Sequence, residues 1–137
     1  MASLTQVNKQ HLNLANTCAR KLFSQSSTHG GVVDIELARN AGNEQLWNGQ
    51  EGFGIELYCH RLGENILIDF YKELRPTLDQ EHALNVIARC VERAAVIALS
   101  DAGFSVIDYE LLQNHSHECA QHISGIVHSQ EELQKDL

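Results

Sequence analysis

Residues 53–74 read FGIELYCHRLGENILIDFYKEL, and apolar and polar side chains alternate through both halves of this stretch. The alternating apolar set is Phe53, Ile55, Leu57, Cys59, Ile66, Ile68 and Phe70. A side-chain period of two is typical of a strand that buries one face. Gly63-Glu64 separates the halves and fits a two-residue type II′ turn with glycine first. The stretch therefore predicts an antiparallel β-hairpin with one apolar and one polar face.

Helical spacing is found on both sides of this hairpin. Leu4, Val7, Leu14, Cys18 and Leu22 predict an amphipathic helix over residues 4–24. After Pro76, Thr77 and Gln80 match a capping box for a second helix, which Gly103 closes as its C-cap. A last helix is predicted to begin at Ser116, and its inner face is formed by Ala120, Ile123, Val127 and Leu133.

Two further strands complete the predicted fold. Residues 33–37 and 107–111 each alternate apolar with acidic side chains, while residues 39–52 read as a long loop around Leu46 and Trp47. The predicted order is α-β-β-β-α-β-α. We expect a single α+β domain over residues 1–137, with a mainly antiparallel four-stranded sheet and helices packed on one face.

Composition restricts the class of protein. The chain carries 10 Lys+Arg against 18 Asp+Glu, a net charge of −8, which argues against nucleic-acid binding. The charge is uneven: residues 1–39 sum to +2 and residues 77–137 to −7. We find neither a membrane-spanning apolar run nor a signal peptide, so we expect a soluble cytoplasmic protein. Four widely spaced cysteines are predicted to be buried as small apolar side chains.

The polar face of the predicted sheet is one candidate site. It would carry Glu56, Tyr58, His60, Asp69 and Tyr71. Carboxylates, an imidazole and tyrosine hydroxyls close together support acid–base chemistry or the binding of a basic or hydroxylated ligand. Trp47, in the loop 39–52, would cover the face and make it a pocket. The alternative is a solvated sheet face on which tyrosine only reflects β propensity.

A second candidate is a zinc site formed by His115, Cys119 and His122. Cys119 and His122 lie three residues apart on one face of the predicted last helix, and His115 precedes its cap. Imidazole and thiolate together suit zinc. The alternative is a polar helix surface, because the spacing matches no known zinc module.

The remaining features favour protein–protein contact. No dinucleotide, phosphate-loop, nucleophile-elbow or metalloprotease motif is present, so we lean against an enzyme. Leu62, Leu67, Leu74 and Leu112 fall outside the predicted core, and an open sheet edge invites a second copy. We therefore expect a small acidic binding or adaptor domain that forms a homodimer. The element order and acidic balance resemble those of small dimeric chaperones that escort secreted effectors, and no residue position is carried over from them.

Overall fold

The computed structural model describes residues 2–25, 45–46, 61–101, 103–106 and 109–135. Nearly all of them belong to four helices: α1 (Ala2–Gln25), α2 (Arg61–Leu74), α3 (Gln80–Asp101) and α4 (Tyr109–Lys135). Two short strands, β1 (Gln45–Leu46) and β2 (Ser105–Val106), form a parallel pair with Gln45 opposite Ser105. The prediction of an α+β fold with a four-stranded antiparallel sheet is therefore wrong. The described part of the chain is almost entirely helical.

The second half of the predicted hairpin is helix α2. Ile66, Leu67, Phe70, Tyr71 and Leu74 recur at spacings of three and four residues, and all five are buried. Ile68 is buried as well, so the buried face of α2 spans an unusually wide arc of the helix surface. This wide buried face explains why the hairpin prediction is wrong here. Ile66, Ile68 and Phe70 alternate with other residues in the sequence although the backbone between them is helical. Residues 53–60, the first half of the hairpin, lie outside the described residues.

The leucine patch expected on the surface is also corrected. Leu67 and Leu112 are fully buried, Leu74 is 4% exposed, and the side chain of Leu62 lies outside the described part. Leu67 and Leu74 fall on the outer face of the predicted sheet only if residues 66–74 form a strand, and these residues form a helix. The element order α-β-β-β-α-β-α does not hold either, so the resemblance to dimeric chaperones loses its basis.

The fourth predicted strand and the start of the last helix are corrected together. Helix α4 begins at Tyr109, inside the predicted strand 107–111, while residues 33–37 and 107–108 are not described. Ser116 is not an N-cap. It is buried within α4, where its hydroxyl donates to the carbonyl of Leu112 at 2.9 Å. Ala120, Ile123 and Val127 face inward as predicted, whereas Leu133 is 67% exposed.

The predicted first and second helices are confirmed, and so is the stop signal of the second. Gly103 has a φ of +91°, its N–H donates to Ser100, and the N–H of Phe104 donates to Leu99. These bonds form a Schellman motif, which needs a residue with positive φ at this position. The start differs from the prediction: Asp79 caps α3 by accepting from the N–H of His82 at 2.9 Å. Thr77 instead donates its hydroxyl to Leu74 of the preceding helix.

Helix α3 is the centre of the fold and packs against α1 and α4. Its buried residues are mostly small or β-branched: Ala83, Val86, Ile87, Cys90, Val91, Ala94, Ala95, Ala98 and Leu99. Alanine and cysteine let helix backbones approach closely, because the side chains at the contact set the interaxial distance. Helix α2 contacts the other three helices and adds Ile66, Leu67, Ile68, Phe70, Tyr71 and Leu74 to the same core.

Two expectations from composition can be compared with the described residues. Cys18, Cys90 and Cys119 are buried in the apolar core, as predicted, and Cys59 is not described. Among the described helices, none combines the length and the apolar character that a bilayer crossing requires.

The Leu67→Ala variant distinguishes the helical structure of α2 from the predicted hairpin. On α2 the Leu67 side chain is fully buried, so its truncation is expected to cost about 2–5 kcal/mol in the free energy of unfolding. Asp69→Ala is the matched control, because Asp69 is exposed and should change stability by less than about 0.5 kcal/mol. Urea denaturation measures both. Equal effects of the two substitutions would contradict the α2 packing.

Asp79 gives the protein a specific acid sensitivity. The hydrogen bond from the backbone N–H of His82, followed by one from its side chain, holds the pKa of Asp79 below its ordinary value. Because the folded-state pKa is lowered, the cap stabilises above the ordinary value of about 3.9 and is lost as pH falls through the lower, folded pKa.

The Asp79→Asn variant tests this acid sensitivity. Asparagine is also a good N-cap but does not ionise. The variant is therefore expected to fold at neutral pH and to lose stability less steeply between neutral pH and strong acid than the parent chain. Thermal denaturation over a pH series measures the two slopes, and parallel profiles would rule out the contribution of Asp79.

Candidate docking groove

A groove runs along the surface between α1 and α3. Leu12, Asn16 and Arg20 of α1 follow one another at intervals of four residues, and so do Arg89, Arg93 and Ile97 of α3. Residues four apart lie on the same face of a helix, so each helix contributes one row of side chains. These six residues, with Tyr109 from the first turn of α4, define the α1–α3 groove.

The groove consists of three adjoining clefts of about 780, 290 and 210 Å³. Asn16, Arg93 and Ile97 line both the largest and the smallest cleft. Leu12 and Arg89 line both the smallest cleft and the one of 290 Å³. The smallest cleft therefore adjoins both others, and the cleft of 290 Å³ extends away from α1 onto Gln113 and His117 of α4.

Exposed apolar side chains converge in the smallest of these clefts. Leu12 is 41% exposed, Ile97 43% and Tyr109 50%, and all three line it. Among the described side chains, the other large apolar residue with comparable exposure is Leu133, near the end of α4. Scattered apolar side chains are ordinary on a protein surface, whereas a cluster with a polar rim is typical of an interaction site.

The rim of the groove is basic although the chain is acidic. Arg20, Arg89 and Arg93 are all exposed there. Residues 77–137 contain three cationic and ten acidic side chains, and two of those three cations are Arg89 and Arg93. The acidic residue on the rim is Glu92, which accepts a hydrogen bond from Gln113 at 3.3 Å. The groove therefore concentrates positive charge on a chain whose net charge is −8.

Asn16 has an unsatisfied polar atom at the middle of the α1 row. Its Oδ1 is the one buried side-chain oxygen or nitrogen, among the residues described, that lacks a hydrogen-bond partner. A buried acceptor left unpaired costs about 1–3 kcal/mol. The neighbouring polar groups are engaged with one another: the Thr17 hydroxyl donates to the carbonyl of Asn13 at 2.9 Å, and Arg20 donates to Thr17 at 3.5 Å.

A cluster of polar side chains links α2 to α4 inside the fold. The Tyr71 hydroxyl lies 3.1 Å from Ser124 Oγ and 3.2 Å from His128 Nε2. Glu131 continues the chain, since its carboxylate lies 3.8 Å from His128 Nδ1 and also bonds Arg75. The Arg75 guanidinium in turn lies 5.8 Å from the centre of the Tyr71 ring. These five residues are named the Tyr71 cluster.

The Tyr71 cluster contains side chains that are typical of catalytic sites, but its two hydroxyl groups are not accessible to a substrate. Tyr71 is fully buried and Ser124 is 4% exposed, so a substrate cannot reach either hydroxyl. The hydroxyl, imidazole and carboxylate instead satisfy one another across the helix interface, which is what buried polar groups require. The cluster therefore holds α2 in a fixed orientation on α4.

The predicted polar sheet face is not assembled by the described residues. Asp69 and Tyr71 belong to α2, where two positions differ by about 200° around the helix axis. Asp69 is exposed and Tyr71 is buried, so the two do not share a face. Trp47, Glu56, Tyr58 and His60 lie outside the described residues.

The predicted zinc ligands lie along α4. Cys119 is buried, whereas the side chains of His115 and His122 are 27% and 63% exposed. The two imidazoles have carboxylate neighbours, because His115 lies 3.9 Å from Glu118 and His122 lies 3.8 Å from Glu64. Over the described residues, no three histidine, cysteine or acidic side chains are grouped closely enough to hold a metal. The zinc site stays an untested prediction.

The groove residues were not predicted from the sequence, although one signal was present. Arg89, Arg93 and Ile97 repeat every four residues on the face of α3 opposite to much of its alanine-rich buried surface. That repeat marks an exposed stripe of long side chains on a helix. Its pairing with the row on α1 depends on how the two helices pack, which local sequence does not state.

Comparison with family models, curated proteins and solved structures finds no match to this chain. The proposed function therefore rests on the groove.

Tyr71→Phe tests the structural role of the Tyr71 cluster. Loss of the hydroxyl leaves Ser124 and His128 without this partner, so the expected cost is about 1–3 kcal/mol in the free energy of unfolding. Tyr109→Phe removes a hydroxyl from a half-exposed side chain and should cost less than about 0.5 kcal/mol. Urea denaturation compares the two variants, and equal stability would show that the cluster contributes nothing.

Proposed function

We propose that this chain is a small binding domain that acts through protein–protein contacts, and that its α1–α3 groove receives an acidic segment of a partner protein. The observation that carries the proposal is that Leu12, Ile97 and Tyr109 share one cleft with Arg89 and Arg93, and that Arg20 lines the adjoining cleft, on an acidic chain. The apolar side chains would take apolar anchors of the segment, and the arginines would pair with its carboxylates.

An acidic protein segment fits this groove better than a nucleic acid does. Nucleic-acid binding depends on many phosphate contacts from clustered Lys and Arg, whereas the groove offers three arginines around an aliphatic and aromatic floor. The net charge of −8 would also repel an extended polyanion outside the groove. A short segment with few carboxylates avoids that repulsion.

The cytoplasmic setting expected from the sequence is part of this proposal. Three buried cysteines, Cys18, Cys90 and Cys119, serve as core side chains in the described residues, which suits a reducing compartment.

The homodimer expected from the sequence stays a prediction. The open edge of a four-stranded sheet suggested it, and that sheet is not formed by the described residues. A second copy could still occupy the groove with the acidic end of its own α4, where Glu132 and Leu133 are exposed. Sedimentation velocity over a concentration series tests for a dimer, and dissociation by Arg93→Glu would identify the second copy as the occupant.

Binding of a defined peptide pool tests the proposed function. The probe is a fluorescein-labelled pool of octapeptides that carry two Asp or Glu, two Leu, Ile or Phe, and random residues elsewhere. A matched pool replaces Asp and Glu with Asn and Gln. We expect the acidic pool to raise fluorescence anisotropy at lower protein concentrations than the amide pool, and added salt to weaken the binding.

Arg93→Glu is the variant that locates this binding. Loss of one charge-assisted contact, with repulsion added, should weaken binding of the acidic pool about tenfold or more. Lys72→Glu makes the same charge change on an exposed position of α2 outside the groove and should have little effect. Equal losses in the two variants, or tighter binding of a single-stranded oligothymidylate than of either peptide pool, would overturn the proposal.

A further inference from the structure

The largest cleft of the groove is lined by cations without a carboxylate beside them. Arg20 of α1 and Arg93 of α3 line it from the two helices, together with Asn13. Among the described residues that line this cleft of about 780 Å³, none is acidic. The smallest cleft also has two arginines, Arg89 and Arg93, but Glu92 lines it with them. The largest cleft is therefore the part of the groove that most favours an anion.

The arginines of the groove are not neutralised by the chain's own carboxylates. Within the part of the chain that the structure describes, no ion pair joins Arg20, Arg89 or Arg93 to an acidic side chain, whereas Arg75 pairs with Glu131. Arg89 and Arg93 also lie four residues apart on one helix face, where like charges repel each other. The chain has 18 acidic side chains against 10 basic ones, yet this cluster is left without them. An anion bound between the arginines would relieve their repulsion.

We infer that the acidic group recognised by the groove is the phosphate of a phosphorylated side chain of the partner protein, held in the largest cleft between Arg20 and Arg93. This inference rests on the proposed function and names the chemistry of its ligand. Apolar side chains near the phosphorylated residue lie in the adjoining smallest cleft, against Leu12 and Ile97. Phosphorylation of the partner therefore controls its binding to this domain.

A phosphate matches the two arginines of this cleft better than a carboxylate does. It carries a charge of about −1.5 to −2 at pH 7 and offers three acceptor oxygens, whereas a carboxylate carries one charge on two oxygens. A guanidinium donates two parallel N–H bonds to such a group, so Arg20 and Arg93 together supply four. Three phosphate oxygens accept these bonds from two sides more readily than two carboxylate oxygens. Clustered arginine is accordingly a recurring means of recognising phosphorylated segments.

Three matched peptide pools test the inference. The probe is a fluorescein-labelled pool of octapeptides with phosphoserine at a fixed central position, two Leu, Ile or Phe, and random residues other than Asp and Glu elsewhere. The matched pools carry Asp or Ser at the central position. On the parent chain we expect the phosphoserine pool to bind about tenfold more tightly than the Asp pool, and the Ser pool to bind most weakly. Fluorescence anisotropy measures all three affinities.

The Arg93→Lys variant tests whether a guanidinium contacts the phosphate. Lysine keeps the positive charge but does not donate two parallel N–H bonds in a fixed fork. The preference for the phosphoserine pool over the Asp pool is expected to fall below about threefold in this variant. Arg75→Lys makes the same substitution outside the groove and should leave the preference unchanged. Thermal denaturation checks that both variants fold, and an equal loss of preference in the two would contradict the Arg93 contact.

The outcomes distinguish this inference from the proposed function. If the phosphoserine and Asp pools bind equally well and Arg93→Glu weakens both, the preference for phosphate is wrong while the docking groove stands. If inorganic phosphate binds as tightly as the phosphoserine pool, the cleft takes a free anion, which contradicts the docking of a segment. If no peptide pool binds the parent chain, the proposed function fails and the inference fails with it.

Discussion

Close packing of α3 against α1 and α4 is the constraint on which the rest of the structure depends. The buried surface of α3 is rich in Ala83, Ala94, Ala95 and Ala98, with Cys90 among them, so its neighbours can approach closely. Small side chains supply little apolar area each, and the bulky residues of the core come from all four helices, with Tyr71 and Leu67 of α2 among the largest. Tyr71 then determines how α2 sits, because its hydroxyl must reach Ser124 and His128 on α4.

The groove is a consequence of the same packing. When the small face of α3 turns inward, the long side chains of Arg89, Arg93 and Ile97 are left on the surface beside α1. The row Leu12, Asn16 and Arg20 meets them there, and neither row forms a binding surface alone. The proposed docking function therefore depends on the relative position of two helices that are separated by more than fifty residues in the sequence.

The stretch 53–74 shows why alternating apolar residues are a misleading indication of a β-strand here. Ile66, Ile68 and Phe70 alternate as a strand would, while Ile66, Leu67, Phe70, Tyr71 and Leu74 repeat as a helix does. Both patterns are present because Ile68 widens the buried face of α2, although Asp69, Lys72 and Glu73 still form an exposed face. Three alternating apolar residues are too few to distinguish a strand from a helix, whereas polar residues that recur at spacings of three and four over a longer window indicate a helix. The predicted sheet is wrong for this reason, whereas most residues of the candidate site on its polar face lie outside the described residues, so that site stays an untested prediction.

Elements whose signals are local can be recognised from the amino-acid sequence without the structure. The spacing of Ala15, Cys18 and Leu22 in α1, the positive-φ glycine at Gly103 and the inward face of Ala120, Ile123 and Val127 are all readable without neighbours. Such signals are local because caps and amphipathic spacing involve residues within a few positions of one another. The contact of the Tyr71 hydroxyl with Ser124, and the two rows of side chains that face each other across a groove, are visible only in the folded chain. Each of these depends on contacts between segments that are distant in the sequence, and local spacing does not record which segments meet.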